Sequence, residues 1–225
     1  MFRNSTGWID IYQRKKALWV HDGNFHRPHA LLASGKHSNG FFNSRLVIPD
    51  EGLLRAAASD LLEKFDEHFE ISFDVIHCVA GPQTGATKLA DFLSQRIPVY
   101  TMEDCFFVSP AKNETGGEKS MVFSDEEARL LPGRSVLLCE DVLTTGGSID
   151  RTETAVIVAG GIVMPFILTL VNRSGLKEVS GKRIISLIDY HMPQWTPAEC
   201  PLCKKGSKAI PAKDNWELLN AEYPS

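Results

Sequence analysis

Val136-Leu137-Leu138-Cys139-Glu140-Asp141-Val142-Leu143-Thr144-Thr145-Gly146-Gly147-Ser148 is the stretch on which the reading of this chain turns. It opens as an apolar run of strand length, passes through two adjacent carboxylates and ends in small and hydroxylic residues. The following segment, Ile149 to Ala159, has helical periodicity and stops at Gly160-Gly161. A strand, a loop and a helix in that order aim backbone N–H groups and the positive end of a helix at an anion. Gly146 and Gly147 let the backbone approach closely, and Thr144, Thr145 and Ser148 add hydroxyl donors, so a phosphate suits the loop. Glu140 and Asp141 repel a phosphate and suit sugar hydroxyls or a metal ion. Together these residues point to a sugar phosphate. The competing reading is an ordinary β-α turn with two surface acids.

Working outward, Asp74 to Ala80 is a nearly continuous apolar run, read as a central parallel strand in which His77 and Cys78 are buried bystanders. Gly81-Pro82-Gln83-Thr84-Gly85-Ala86 then leads into a helix from Thr87 to Gln95, a second turn suited to an anion. Ile97 to Met102 reads as a further strand. Glu103 to Ser120 is polar, contains glycine and reads as a long mobile loop, either functional or disordered, whose cations are Lys112 and Lys119. Ile162 to Val171 is another buried strand, ending at Asn172-Arg173, and Arg183 to Tyr190 is a closing strand.

Towards the N-terminus, Asn4-Ser5-Thr6 offers caps for a helix to about Val20. A short strand from Ala30, a polar turn and a second strand follow. In that second strand Phe42, Ser44 and Leu46 alternate with Phe41, Asn43, Arg45 and Val47. Phe41 and Phe42 are either core on opposite strand faces or a stacking surface for a flat ligand. Pro49-Asp50-Glu51 starts a long helix whose apolar positions run from Leu53 to Phe65. Alternating strands and helices give an α/β fold, an open and mainly parallel sheet flanked by helices, with ligands at the carboxyl ends of the strands.

A net charge of −4 argues against a broad nucleic-acid-binding face. No apolar run has the length of a membrane span, and no signal-peptide pattern opens the chain. Five scattered cysteines suit a reducing compartment, so a cytoplasmic location is expected. Cys200-Pro201-Leu202-Cys203 supplies half of a zinc site. His191 is a possible third ligand, and the fourth is missing unless a second subunit supplies a pair. A reduced thiol pair in a turn is the favoured reading.

At residues 136–148 the chain resembles the type I phosphoribosyltransferases, whose thirteen-residue motif binds phosphoribosyl pyrophosphate (PRPP). The resemblance implies that Glu140 and Asp141 hold the ribose hydroxyls while Val142, Leu143, Thr144, Thr145, Gly146, Gly147 and Ser148 wrap the 5-phosphate. It makes Ala80, Gly81, Pro82, Gln83, Thr84 and Gly85 the pyrophosphate loop, with a strained peptide bond as one means of holding the leaving group. The pattern Ser34-Gly35, Ser38, Phe41-Phe42-Asn43 resembles the orotate branch, in a hood over the base. There Phe41, Phe42 and Arg173 are expected to bind the base, with Arg173 pairing the carboxylate of orotate. Glu140, Asp141, Lys112 and Lys119 are the expected catalytic set.

The chain departs from that branch at Ala33, where many relatives have a lysine. It also lacks the Arg-Lys pair, further lysine and His-Gly of the branch's mobile loop. The resemblance implies one phosphoribosyltransferase domain over 1–225: a hood from 1–48 and 183–190, a core of 49–175, and a tail of 191–225. It also implies Mg²⁺ held mainly by the substrate and not by a direct protein site, PRPP and a nucleobase as ligands, and a homodimer. The expected activity is phosphoribosyl transfer to a base, orotate first. The alternatives are another base, or a PRPP-binding regulatory protein without catalysis.

Overall fold

A computed structural model of the chain describes residues 3–68, 75–101, 103–114 and 119–224. Helix α1 spans Ser5–Arg14, and its Asn4 cap accepts a hydrogen bond from the Gly7 N–H at 3.0 Å. It does not run on to Val20. Lys16 takes a positive φ of 51°, and Leu18–Val20 becomes strand β1. The strands β2 (His29–Leu31), β3 (His37–Ser38) and β4 (Gly40–Phe42) follow, then a 3₁₀ turn over Ser44–Leu46 where the sequence suggested continuing strand. The long helix α2 covers Glu51–His68.

Strand β5 is short, Cys78–Ala80, and part of the run expected for it, Asp74 included, lies outside the described residues. Helix α3 (Thr87–Arg96) leads directly into α4 (Pro98–Thr101), so helix replaces the expected strand over residues 98–101, and Met102, its expected last residue, lies outside the described residues. Proline fits the first turn of a helix, where its missing N–H costs nothing. The strand's place is taken by β6 (Phe106–Val108), within the run read as loop. The same run also holds β7 (Ala111–Asn113) and leads into β8 (Ser120–Val122), which pair antiparallel as a ribbon. Helix α5 (Asp125–Leu130) precedes β9 (Ser135–Leu143), α6 (Gly147–Val158) and β10 (Ile162–Asn172). After β11 (Glu178–Val179) come β12 (Lys182–Asp189), β13 (Gln194–Trp195), α7 (Pro201–Lys204), β14 (Ala209–Pro211) and α8 (Trp216–Asn220).

The central sheet has the order β11-β12-β10-β9-β5-β6, parallel throughout except for the edge strand β11. Both faces are covered, which is why its strands read as unbroken apolar runs. Along β9, Leu137 and Cys139 enter the core formed with α1, α2 and α3, whereas Val136 and Leu138 enter the core formed with α6. The chain runs outward from β5 to β6, then returns to the opposite side of β5 as β9 and proceeds outward to β10 and β12. Its order therefore reverses between β5 and β9, and a crevice opens beyond their carboxyl ends.

Strand β12 pairs in parallel with β10 and belongs to this sheet, not to the hood expected for 183–190. Its residues Ile185, Leu187 and Ile188 are all buried, as an inner strand requires. The hood is assembled instead from both ends of the chain. A small sheet of order β13-β3-β2-β14 joins residues 29–38 to residues 194–211, and β1 pairs with β4 beside it. Residues 194–211, expected to be a tail, are thus a structural half of the hood. Phe41 and Phe42 point to opposite sides of β4: Phe42 packs edge-on against Tyr12 and Tyr190, while Phe41 meets Trp216. Among the described residues no helix is long and apolar enough to cross a membrane.

Leu61 on α2 is fully buried and Val158 on α6 is 82% exposed. Leu61→Ala is expected to cost about 2–5 kcal/mol in urea denaturation, and Val158→Ala less than about 0.5 kcal/mol. Equal midpoints for the two variants would contradict the assignment of α2 to the core.

Candidate functional site

The acid pair lies in the carboxyl-terminal half of β9, with Glu140 opposite Thr169 of β10. Glu140 is buried and Asp141 half-buried, and the Asp141 N–H donates to Glu140 Oε1 at 3.2 Å. Beyond Leu143 the chain folds around a cavity of about 70 Å³ lined by Glu140 and by the run from Val142 to Ile149. The turn needs glycine at 146. There φ is +85°, and a Cβ would lie 2.7 Å from the Val179 side chain. From Gly147 onward α6 presents its free N–H groups at the cavity, with Thr144, Thr145 and Ser148 beside them. The Arg151 guanidinium also lies next to Gly147, one turn into the helix, a cation not singled out in the sequence.

The second turn, 80–86, lies directly against the first. A Cβ at Gly85 would stand 2.7 Å from Asp141 Oδ1, and one at Gly81 2.7 Å from the Ala86 carbonyl. Ser109 fixes the turn: its hydroxyl donates to the Gly81 carbonyl at 2.7 Å and lies 2.6 Å from Thr87 Oγ1, while Gln83 Nε2 donates to the Ser109 carbonyl. The Gln83–Thr84 peptide bond is cis. Asp141 consequently stands where two anion-ready turns meet.

Burial, above all, pushes the Glu140 carboxyl well above the ordinary glutamate range. The neighbouring Asp141 charge pushes the same way, and the positive charge of Lys112 opposes it. Lys112, on the β7–β8 ribbon, is therefore close enough to the acid pair for its charge to be felt there. Lys119 is exposed and pairs with Glu114 at 3.8 Å. Tyr12 lies fully buried near Asp141, with its hydroxyl 3.2 Å from Ser44 Oγ.

Arg173 leaves the carboxyl end of β10 beside β9, where its N–H donates to the Leu143 carbonyl at 3.0 Å. Its side chain is 1% exposed. Nη2 donates to Ser38 Oγ at 2.7 Å, Nε has no hydrogen-bond partner, and no carboxylate pairs with it among the described residues. Burial lowers its pKa to about 10, so it stays charged at neutral pH. The hood grips the same region: Ser38 donates to the Pro193 carbonyl, and Gln194 Nε2 donates to the Thr144 carbonyl at 3.1 Å. The geometry brings together Glu140, Asp141, the 142–148 loop and the 80–85 loop, with Lys112 and Arg173 beside them. It leaves Phe41 and Phe42 packed among other aromatic rings. Gln194, Ser109 and Arg151 gave no sequence signal, because each acts through a contact that only the fold creates.

A family model described as the phosphoribosyl transferase domain matches residues 49–193. The chain is similar to the orotate phosphoribosyltransferase of Sulfurovum sp., with 31% identity over 81% of this chain and 89% of that protein. It is also similar to that of Heliobacterium modesticaldum, with 30% identity over 90% and 94%. Among solved structures, orotate phosphoribosyltransferase from Aeropyrum pernix superposes with a TM-score of 0.57 at 24% identity, covering 80% of this chain and 91% of that one. Adenine phosphoribosyltransferase from Thermoanaerobacter pseudethanolicus gives 0.52 at 22% identity, covering 67% and 88%. The last two show the shared fold.

The raised Glu140 carboxyl has a definite stability consequence. Its contribution is fully present below the ordinary glutamate value of 4.5 and is lost as pH rises towards the raised native value. Glu140→Gln removes this dependence. Relative to wild type, the ligand-free variant is expected to gain stability progressively as pH rises above 4.5 in denaturant titrations. Parallel stability–pH curves would contradict the burial assigned to Glu140.

Proposed function

The chain belongs to the type I phosphoribosyltransferase family, and on that premise we propose that it transfers the 5-phosphoribosyl group from PRPP to orotate with release of pyrophosphate. The observation that carries the reading is the meeting of two anion-ready turns at Asp141, with a buried, unpaired guanidinium beside them. The 144–148 loop and the N-terminus of α6 hold the 5-phosphate. Glu140 and Asp141 accept hydrogen bonds from the ribose hydroxyls, and the 80–85 turn receives the pyrophosphate. With both anionic ends fixed, C1 lies between them. Its bond to the pyrophosphate oxygen breaks with oxocarbenium character while a ring nitrogen of the base attacks from the hood side. Positioning and charge stabilisation supply the rate, since no protein group has to exchange a proton with C1.

Mg²⁺ fits this arrangement. The ion would be held mainly by the substrate's own oxygens, with the negative charge of Asp141 beside it. When bound, it neutralises charge on the pyrophosphate. Lys112 adds positive charge on the same side. Arg173 supplies the selection for orotate. A guanidinium sealed from water without a counter-ion favours a ligand that brings a carboxylate, and Nε and the Nη groups can grip it in two-point fashion.

The test is pyrophosphate release from PRPP and Mg²⁺ with orotate, uracil, adenine, hypoxanthine and nicotinate offered in turn. Release with orotate is expected, and Asp141→Asn should lower kcat/KM by about 100-fold or more. Release with a different base alone would overturn the choice of orotate. PRPP binding without turnover on any base would make the protein a PRPP sensor.

A further inference from the structure

Away from this site, four side chains that are far apart in the chain converge. His29 lies on β2, His37 on β3, Cys200 caps α7 and Cys203 lies within it. Their ligand atoms all fall within 4.8 Å of one another, and three of the four residues are buried. His29 Nε2 stands 3.4 Å from Cys200 Sγ and 3.6 Å from Cys203 Sγ. His37 Nδ1 stands 3.3 Å from Cys203 Sγ and 3.0 Å from His29 Nε2. With bonds of about 2.3 Å to sulfur and about 2.05 Å to nitrogen, a tetrahedral zinc ion requires edges of about 3.5 Å for S···N and about 3.3 Å for N···N. These four contacts, of the six edges of a tetrahedron, agree with the required values to within about 0.4 Å.

Proton accounting supports an ion at the centre. The Ser207 hydroxyl donates to the Arg27 carbonyl at 2.6 Å, because a carbonyl can only accept. At 2.8 Å from His29 Nδ1, the Ser207 oxygen must then accept the Nδ1 proton. In the neutral ring Nε2 is left with a bare lone pair. Three groups, Cys200 Sγ, Cys203 Sγ and His37 Nδ1, crowd within 3.6 Å of that single lone pair. One hydrogen bond satisfies one of them; a cation at the centre satisfies all four ligands. Ser207 also does what the outer partner of a metal-bound histidine does, fixing the tautomer and the ring orientation.

We propose that His29, His37, Cys200 and Cys203 form a structural Zn²⁺ site that clamps the two ends of the chain into one hood. Two thiolates with two imidazoles in a closed tetrahedral set select zinc. The histidine at 191 that the sequence offered as a ligand is elsewhere, its Nδ1 3.2 Å from the Ser174 carbonyl. No second subunit is needed, because the missing pair comes from the chain's own N-terminal strands. The region needs such a clamp. Its strands are two or three residues long, and α7 is a single turn. Small elements of this kind gain folding energy from a metal that they cannot draw from their core. His37 immediately precedes Ser38, which holds Arg173, so the clamp also sets the hood edge above the base.

The site stands independently of the phosphoribosyl reading and has its own test. The full-length protein, purified without chelator, is analysed for metals by mass spectrometry and then reloaded with Co²⁺. About one zinc per chain is expected, together with the visible bands of tetrahedral cobalt with thiolate charge transfer. Cys200 and Cys203 should resist alkylation until a chelator is added. Cys203→Ser should lower zinc content by about tenfold, whereas His191→Ala should retain it. Zinc below about one-tenth per chain with freely alkylated thiols, a Cys200–Cys203 disulfide in the intact mass, or stoichiometric iron would each overturn the proposal.

Discussion

Everything in the site follows from β5 and β9 lying side by side and in parallel at the place where the sheet reverses its order. Parallel neighbours open their carboxyl ends at one edge. The helix after β5 belongs to one core and the helix after β9 to the other, so the two connecting turns part around a crevice. Each turn alone would be an unremarkable anion site. Set against each other, with Gly85 so close to Asp141 that no side chain fits between them, they become a single site for a molecule charged at both ends. The acid pair at that junction cannot stay fully hydrated. Burial drives Glu140 towards its neutral form, and a sugar diol or a cation restores the interactions that folding removed.

Arg173 sets the same problem with the opposite sign. A charged group taken out of water without a partner costs about 3–5 kcal/mol. Here the guanidinium has a serine hydroxyl and an unpartnered Nε. A site that bears this cost in the free protein recovers it when a carboxylate enters, and a base without one leaves the charge stranded. On the proposed reading, binding and selection come from one residue, held by Ser38 of the hood and by the end of β9. The hood in turn is as rigid as the link between the N-terminal strands and the 194–211 segment. This makes the four-ligand cluster at His29, His37, Cys200 and Cys203 relevant to the base as well as to folding.

Much of this was legible in the sequence, for physical reasons. The runs 136–140 and 166–172 are buried on both faces and so read as parallel strands without ambiguity. The acid pair, the glycines at 146 and 147 and the arginine at 173 could be placed because a strand end leaves few positions for them. What stayed hidden lacks a local signal. Strand β6 has three residues, too few for periodicity, and sits in a polar stretch. Proline at 98 and the apolar Val99 and Tyr100 mimic a strand, although those two side chains are exposed on a short helix. Strand β12 carries no local mark of its place, because a short apolar strand reads alike in a central sheet and in a hood. The metal ligands combine a thiol pair with histidines 171 and 166 positions away, so no spacing motif could unite them.

The most direct measurement is calorimetric binding of orotidine 5′-monophosphate and of uridine 5′-monophosphate to the wild-type protein and to Arg173→Leu. Both nucleotides carry the 5-phosphate and the ribose diol, and they differ only in the carboxylate. Binding of the first at least about 100-fold tighter in the wild type, collapsing to within about threefold in the variant, is the result expected. Equal affinity of the wild type for both nucleotides would contradict the role assigned to Arg173 and, with it, orotate as the base.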